Sequence, residues 1–145
     1  VAVTGVQTCA LPIYLGVSEV APLKKMPITS DGKTAAFFAD GRVIIADMEG
    51  AKVASVLQDS AVNLADIADA RIKGNMLYLS SGDSIRTYDL TDPANPIIGK
   101  VIEIGGKVAS ICVDDDEILY ASVSDISGEA PKFSVVAIDP VQMPQ

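Results

Sequence analysis

The sequence predicts an all-β fold assembled from one repeated antiparallel sheet. Three observations predict it. Thr34–Ala39, Met76–Ser81 and Ile118–Val123 match one another and begin 42 residues apart each time (34, 76, 118). Each is followed by a second apolar run that ends in aspartate: Val43–Asp47, Ile85–Asp89 and Val135–Asp139. The first two pairs are separated by Asp40-Gly41 and Gly82-Asp83, dipeptides that supply the positive φ a tight hairpin needs. About four short strands recurring every ~40 to 45 residues are the signature of a β-propeller blade. The fold expected is therefore a partial β-propeller, about three four-stranded antiparallel blades in an open ring.

Along the chain, residues 1–13 are set aside first. Val3–Ile13 matches the translation of a common short-read sequencing adapter, and Tyr14 fits the codon that the adapter's last base would open. Segments of this kind are excluded before a fold is argued. The biological chain is expected to begin near Tyr14, without its true start or any leader, and 14–145 to form an incomplete propeller. Its blades fall at about 24–57, 66–104 and 108–145.

In the first blade, Ile28 marks a strand closed at Asp31-Gly32, and Lys52–Leu57 follows the hairpin as a fourth strand. In the second, Ala70 marks the first strand, closed at Lys73-Gly74, and Ile97–Ile104 forms the fourth. The Ala and Asp content of Asn63–Arg71 also permits a helical turn, but its register is that of a first strand. In the third blade, Cys112 lies 42 residues after Ala70, as Ala70 lies after Ile28, so it is expected to be a small buried hydrophobe. Asp89 to Asp139 is 50 residues rather than 42, and the eight extra residues fall around Ser124 to Lys132. No complete fourth strand fits after Asp139-Pro140. One such sheet cannot bury both faces, so blades must stack. The alternative architecture is a small free-standing β-sandwich.

Composition excludes several functions. Nearly half of the 145 residues are hydrophobic and 21% are charged, which argues for a packed chain. Eleven Lys and Arg against nineteen Asp and Glu leave a net charge of −8, which excludes nucleic acid and anionic membranes as partners. There is no histidine, and with it go Ser-His and Cys-His nucleophile pairs and His-ligated zinc. No apolar run approaches the ~18 residues of a membrane span. Neither a catalytic set nor a cofactor site is read from the residues. Asp114-Asp115-Asp116-Glu117 has the carboxylates a hard cation takes, but it lacks alternating spacing and a central glycine. It reads as a solvated acidic turn, and no metal is expected. With Cys9 set aside, Cys112 stands alone and makes no intrachain disulfide.

Two groups of residues remain as candidates. Asp47, Asp89 and Asp139 stand at one place in each repeat, where an aspartate caps a turn by accepting backbone N–H bonds; Asp92 does the same one turn later. Pro93 and Pro96 fix φ and stop the strand. The other group carries the functional lead. Insertions on a repeat scaffold are where binding specificity is placed, so Ser124, Asp125, Ser127, Glu129 and Lys132 are the candidate binding residues. Arg86 joins them, because it occupies a strand position held by Ile44 and Val136. It is expected to reach solvent or a partner, or to sit at an exposed strand edge.

Tyr78 and then Ile85-Arg86-Thr87-Tyr88-Asp89-Leu90-Thr91-Asp92-Pro93-Ala94-Asn95-Pro96 resemble the LVIVD-repeat propellers of bacteria and archaea. Their units run as an aromatic strand, a glycine turn, an apolar strand ending in Asp, and Asp-Pro-x-Asn-Pro. The first blade departs, with Met48-Glu49-Gly50 after Asp47, and the third keeps only Asp139-Pro140. The resemblance implies a non-catalytic binding scaffold, part of a larger secreted or cell-surface bacterial protein and hence extracytoplasmic. Its partners would be a protein or carbohydrate ligand and the remaining blades of the same chain. The alternative is a piece of a propeller enzyme, quinoprotein or hydrolase, whose catalytic residues lie in the missing blades.

Overall fold

Each hairpin forms because two β-rich runs flank residues able to take a left-handed backbone. Gly41 adopts φ 70° and Gly82 φ 63°, conformations in which a side chain would be strained. The computed structural model describes residues 28–125 and 127–141; the adapter-like segment and the first residues of the expected first blade lie outside the described residues.

Eleven strands follow in order: β1 (Ile28–Ser30), β2 (Thr34–Ala39), β3 (Arg42–Asp47), β4 (Lys52–Gln58), β5 (Ile67–Lys73), β6 (Met76–Ser81), β7 (Ser84–Asp89), β8 (Ile97–Glu103), β9 (Lys107–Val113), β10 (Leu119–Asp125) and β11 (Lys132–Ile138). They form three antiparallel meanders, β1-β2-β3-β4, β5-β6-β7-β8 and β9-β10-β11. No helix occurs among the described residues, and the stretch that permitted a helical turn forms a single turn, the Asp66 N–H donating to the Asn63 carbonyl at 3.0 Å, before it enters β5. The third sheet has three described strands where the first two have four.

The sheets stack face to face. Side chains alternate across a strand, so β6 sends Leu77 and Leu79 to one neighbour and Tyr78 to the other. Phe38, Val43 and Ile45 of the first sheet meet Leu77, Leu79 and Tyr88 of the second, with Val62 from the connection between them. Tyr78, Ile85 and Ile102 on the second sheet's other face meet Val108, Ile111, Leu119 and Ile138 of the third. The first strands β1, β5 and β9 neighbour one another along the inner edge. The central strands β3 and β6 are buried almost throughout, whereas the outer β8 is largely exposed.

Two expectations need correction. Cys112 is exposed rather than buried. Strand register gives the reason: Ala70 lies opposite Leu79, but Ala121, the residue 42 after Leu79, lies opposite Ile111. The turn from β9 to β10 is one residue longer than its counterparts, with Glu117 at φ 63°, so Ile111 takes the buried place and Cys112 faces outward. The second correction concerns the insertion between β10 and β11. Only part of it is loop. Ser124 pairs with Phe133 and Asp125 with Lys132, so the extra residues lengthen the hairpin before it opens.

Candidate functional site

All the turns from second to third strand lie at one end of the stack, together with the connections from one sheet to the next. In the first two sheets these are tied down. The Gly41 N–H donates to the Val62 carbonyl at 2.7 Å, and the Leu64 N–H to the Asp40 carboxylate at 2.8 Å. The Gly82 N–H donates to Asp66, and the Gly82 carbonyl accepts from Val108, both within 3.0 Å. The β10–β11 hairpin instead projects: Asp125, Ser127, Glu129 and Lys132 are exposed, and Ser124 is half-buried. Its tip begins with a local lock, in which the Ser127 N–H and hydroxyl donate to Asp125 Oδ1 at 2.9 and 2.6 Å. Those bonds favour the ionised carboxylate and hold the Asp125 pKa below its ordinary value. Ser124 Oγ reaches the Lys107 carbonyl at 3.4 Å. The sequence-predicted binding residues are thus brought together on one hairpin, Arg86 excepted.

Arg86 lies elsewhere, and its charge is used within the chain. Its side chain faces the first sheet and pairs with Asp59 through Nη2 at 2.9 Å and Nε at 3.1 Å. The Tyr88 hydroxyl donates to the same carboxylate at 2.8 Å, and the Ala61 N–H donates to its other oxygen. Burial alone pushes the Asp59 pKa up. The bonds from Tyr88, Ala61 and Arg86 together with the guanidinium charge outweigh it, and the net shift is downward. Burial first, and then Asp59, raise the Tyr88 pKa, so the phenol stays neutral. Sequence reasoning missed Asp59. A signal existed in Arg86 and Tyr88, two polar heads on one face of one strand, which require a shared acceptor.

The other end of the stack carries the aspartate turns. Asp47 accepts from the Gly50 N–H, Asp89 from the Thr91 N–H and hydroxyl, and Asp139 from the Val141 N–H. Asp92 accepts from the Ala94 N–H and the Asn95 amide, at 3.0 and 2.7 Å. Pro93 and Pro96 flank that turn, and the Pro93 carbonyl accepts the Ser55 hydroxyl of the first sheet at 2.6 Å. The acidic turn is organised internally, with Asp114 accepting from the Asp116 and Ile118 N–H groups. Among the described residues no three His, Cys, Asp or Glu side chains come together as metal ligands. A recess of about 370 Å³ between the second and third sheets is lined by Tyr78, Thr87, Asp89, Ile97, Lys100 and Pro140 among others, and it is mostly apolar.

Sheets of four strands stacked by their faces, with first strands along an inner edge, are the blades of a β-propeller. A solved structure agrees. The chain is similar to the crystal structure of the Myceliophteria thermophila Cps50 (Swd1) beta-propeller domain, at 18% identity and a TM-score of 0.53. The likeness covers 83% of this chain and 42% of that one, so this chain spans less than half of its length. At such identity the likeness establishes the fold. No protein-family model matches the chain, and no curated protein matches it.

Proposed function

We propose that the chain is a non-catalytic binding scaffold whose recognition element is the β10–β11 hairpin. One observation carries this. The hairpin projects from the end where the first two sheets tie their turns to the connections beside them, and its tip presents hydroxyl, carboxylate and ammonium groups together. Such a set suits hydrogen bonding to a protein loop or a carbohydrate, on a rigid sheet that costs little ordering entropy. The Asp-Pro-Ala-Asn-Pro turn of the middle blade supports an LVIVD-type module, and with it an extracytoplasmic setting.

The test is a pair of proteins, the natural chain and one whose residues 126–131 are replaced by Gly-Asp, the turn of the second blade. Both are screened on a glycan array and against a displayed peptide library. The expected result is a ligand whose retention falls at least tenfold on shortening while the melting temperature is unchanged. Ligands held equally by both proteins would overturn the hairpin's role. Turnover of a glycoside or ester substrate would overturn the non-catalytic reading.

A further inference from the structure

The second junction keeps a recess where the first is filled, and the repeat shows which residues opened it. Ile45 and Thr87 stand 42 residues apart, opposite Ala36 and Tyr78. Val56 and Val101 pair with Ile44 and Arg86, so Ala54 and Gly99, two places earlier on the fourth strands, also correspond. At the first junction Ile45 is fully buried and Ala54 packs against the same cluster. At the second, Thr87 and Gly99 take those places, and both lie on the wall of the recess of about 370 Å³. Gly99 cannot regain a side chain, since a Cβ there would collide with the Thr87 hydroxyl. That hydroxyl donates to the Lys100 carbonyl at 3.0 Å. Tyr78 in place of Ala36 takes up part of the space. What is left has the size of a small-molecule site, well beyond the gaps of a packed interior.

The recess lies at the end of the stack opposite the projecting hairpin, against the outer strand β8 rather than the inner edge. Ile97 and Ile102 give it apolar walls. Tyr78 is only 5% exposed and opens onto it. Among the described residues its hydroxyl meets no hydrogen-bond partner, and the charge that acts on it is the Glu117 carboxylate. A buried phenol left so is unfavourable and calls for a bonding group in the recess. Glu117 and Asp89 both stand on the lining. The Thr91 bonds to Asp89 fall on Oδ1 alone. One cation faces these two carboxylates: Lys100, whose Nζ lies 3.4 Å from the Pro140 carbonyl while its stem forms part of the wall. Beyond the rim, Asp114, Asp115 and Asp116 add to the negative potential, and Lys73, paired with Asp115, offsets one of them.

We infer that this recess binds a small primary amine with an apolar body. The ammonium donates to the Glu117 carboxylate and to the Tyr78 hydroxyl oxygen, and the body rests on Ile97 and Ile102. Charge selects the head group, because an anion would meet the excess of carboxylates at the mouth, whereas an ammonium gains a charge-assisted bond there. Volume selects the body, which must replace the side-chain atoms that Ile45 and Ala54 supply at the first junction. The site is separate from the hairpin and independent of its role.

Calorimetric titration of the full chain at pH 7 with 2-phenylethylamine, 2-phenylethanol and 3-phenylpropionate tests this, three probes of similar shape and different charge. The amine is expected to bind one per chain, about tenfold more tightly than the alcohol, with the acid giving no heat. Glu117→Gln, at an exposed position, is expected to weaken the amine about tenfold, and Tyr78→Phe about fivefold. Asp116→Asn removes the same charge outside the recess and is expected to change little. Thr87→Ile restores the residue of the first junction and is expected to abolish binding, with melting temperatures showing that each variant is folded. Should Thr87→Ile unfold the chain, Glu117→Gln and Tyr78→Phe decide the matter. Equal affinity for amine and acid, an unchanged affinity in Glu117→Gln, or no heat from the amine at millimolar concentration would each overturn the inference. So would equal weakening by Asp116→Asn and Glu117→Gln, which would place the amine on the acidic turn at large.

Discussion

The two junctions between blades close by different means. At the first, Phe38, Val43 and Ile45 pack on Leu77, Leu79 and Tyr88, and a buried carboxylate locks the seam. Asp59, 5% exposed in its side chain, takes bonds from Arg86, Tyr88 and the Ala61 N–H. At the second, aliphatic packing around Ile85, Ile102, Ile111 and Leu119 is joined by polar links nearer solvent, Asp69 to the Ile111 N–H and Lys73 to Asp115. Burying a charge is costly unless its partners are all in place. The first junction therefore tolerates one arrangement of blade on blade, while the second relies on shape.

The largest effect is expected at Asp59. Asp59→Asn leaves the Arg86 guanidinium mostly buried without its counter-charge, and losing one partner of a buried pair costs about 3 kcal/mol. Denaturant unfolding measures it. The double variant Asp59→Asn, Arg86→Met is expected to recover at least half of that loss, because the stranded charge is then gone. A single-variant loss below about 1 kcal/mol would show that packing alone sets the first junction.

Next is a pair of identical changes at corresponding positions. Val43→Ala opens a cavity in the first junction and is expected to cost about 2 kcal/mol. Val135→Ala removes the same methyl groups from an exposed place and is expected to fall within about 0.5 kcal/mol of zero. Equal losses would mean that Val135 is already covered.

Acid separates the two seams more finely. The Asp59 pKa is lowered in the fold, so the unfolded chain binds its proton first as pH falls. The stabilisation it contributes is complete above the unfolded value of about 4 and is lost as pH drops through the lower folded value. Asp89, Asp92, Asp115 and Asp125 are lowered too and weaken the fold in the same direction. The difference between the natural chain and Asp59→Asn isolates the buried group. Thermal melts from pH 7 down to 2.5 are expected to show that difference narrowing below about pH 4. A constant gap would show that the carboxylate's charge is not what holds the seam.

The strands were legible because their punctuation is local. Gly41 and Gly82 take positive φ, and the runs beside them recur at a fixed stride, so each of the eleven described strands could be located from the sequence. Counting failed where geometry absorbed a residue. The longer turn before β10, with Glu117 in a left-handed conformation, shifted β9 by one place and exposed Cys112. Spacing likewise revealed eight extra residues but not their division between strand and tip. Asp59 was harder to find for another reason: its place in the next repeat is taken by Ile104, so no recurring polar residue marks it, and only the folded stack brings it to Arg86 and Tyr88.

The smallest effect is expected at the second junction's ion pair. Lys73 Nζ lies 2.6 Å from Asp115, a closer approach than any in the buried lock. Distance does not decide its worth. The two side chains are 39% and 99% exposed, so water screens the attraction and ordering two mobile side chains offsets much of it. Asp115 raises the Lys73 pKa, with Asp114 and Glu117 adding to it, so the ammonium is charged throughout the range in which the protein is handled. Lys73→Ala is expected to leave the melting temperature unchanged at physiological salt and to lower it slightly at low salt, where the acidic turn repels itself. If Lys73→Ala instead destabilised the fold as much as Asp59→Asn, the second junction would depend on charge as the first does, and the contrast between a locked seam and a shape-fitted one would fail.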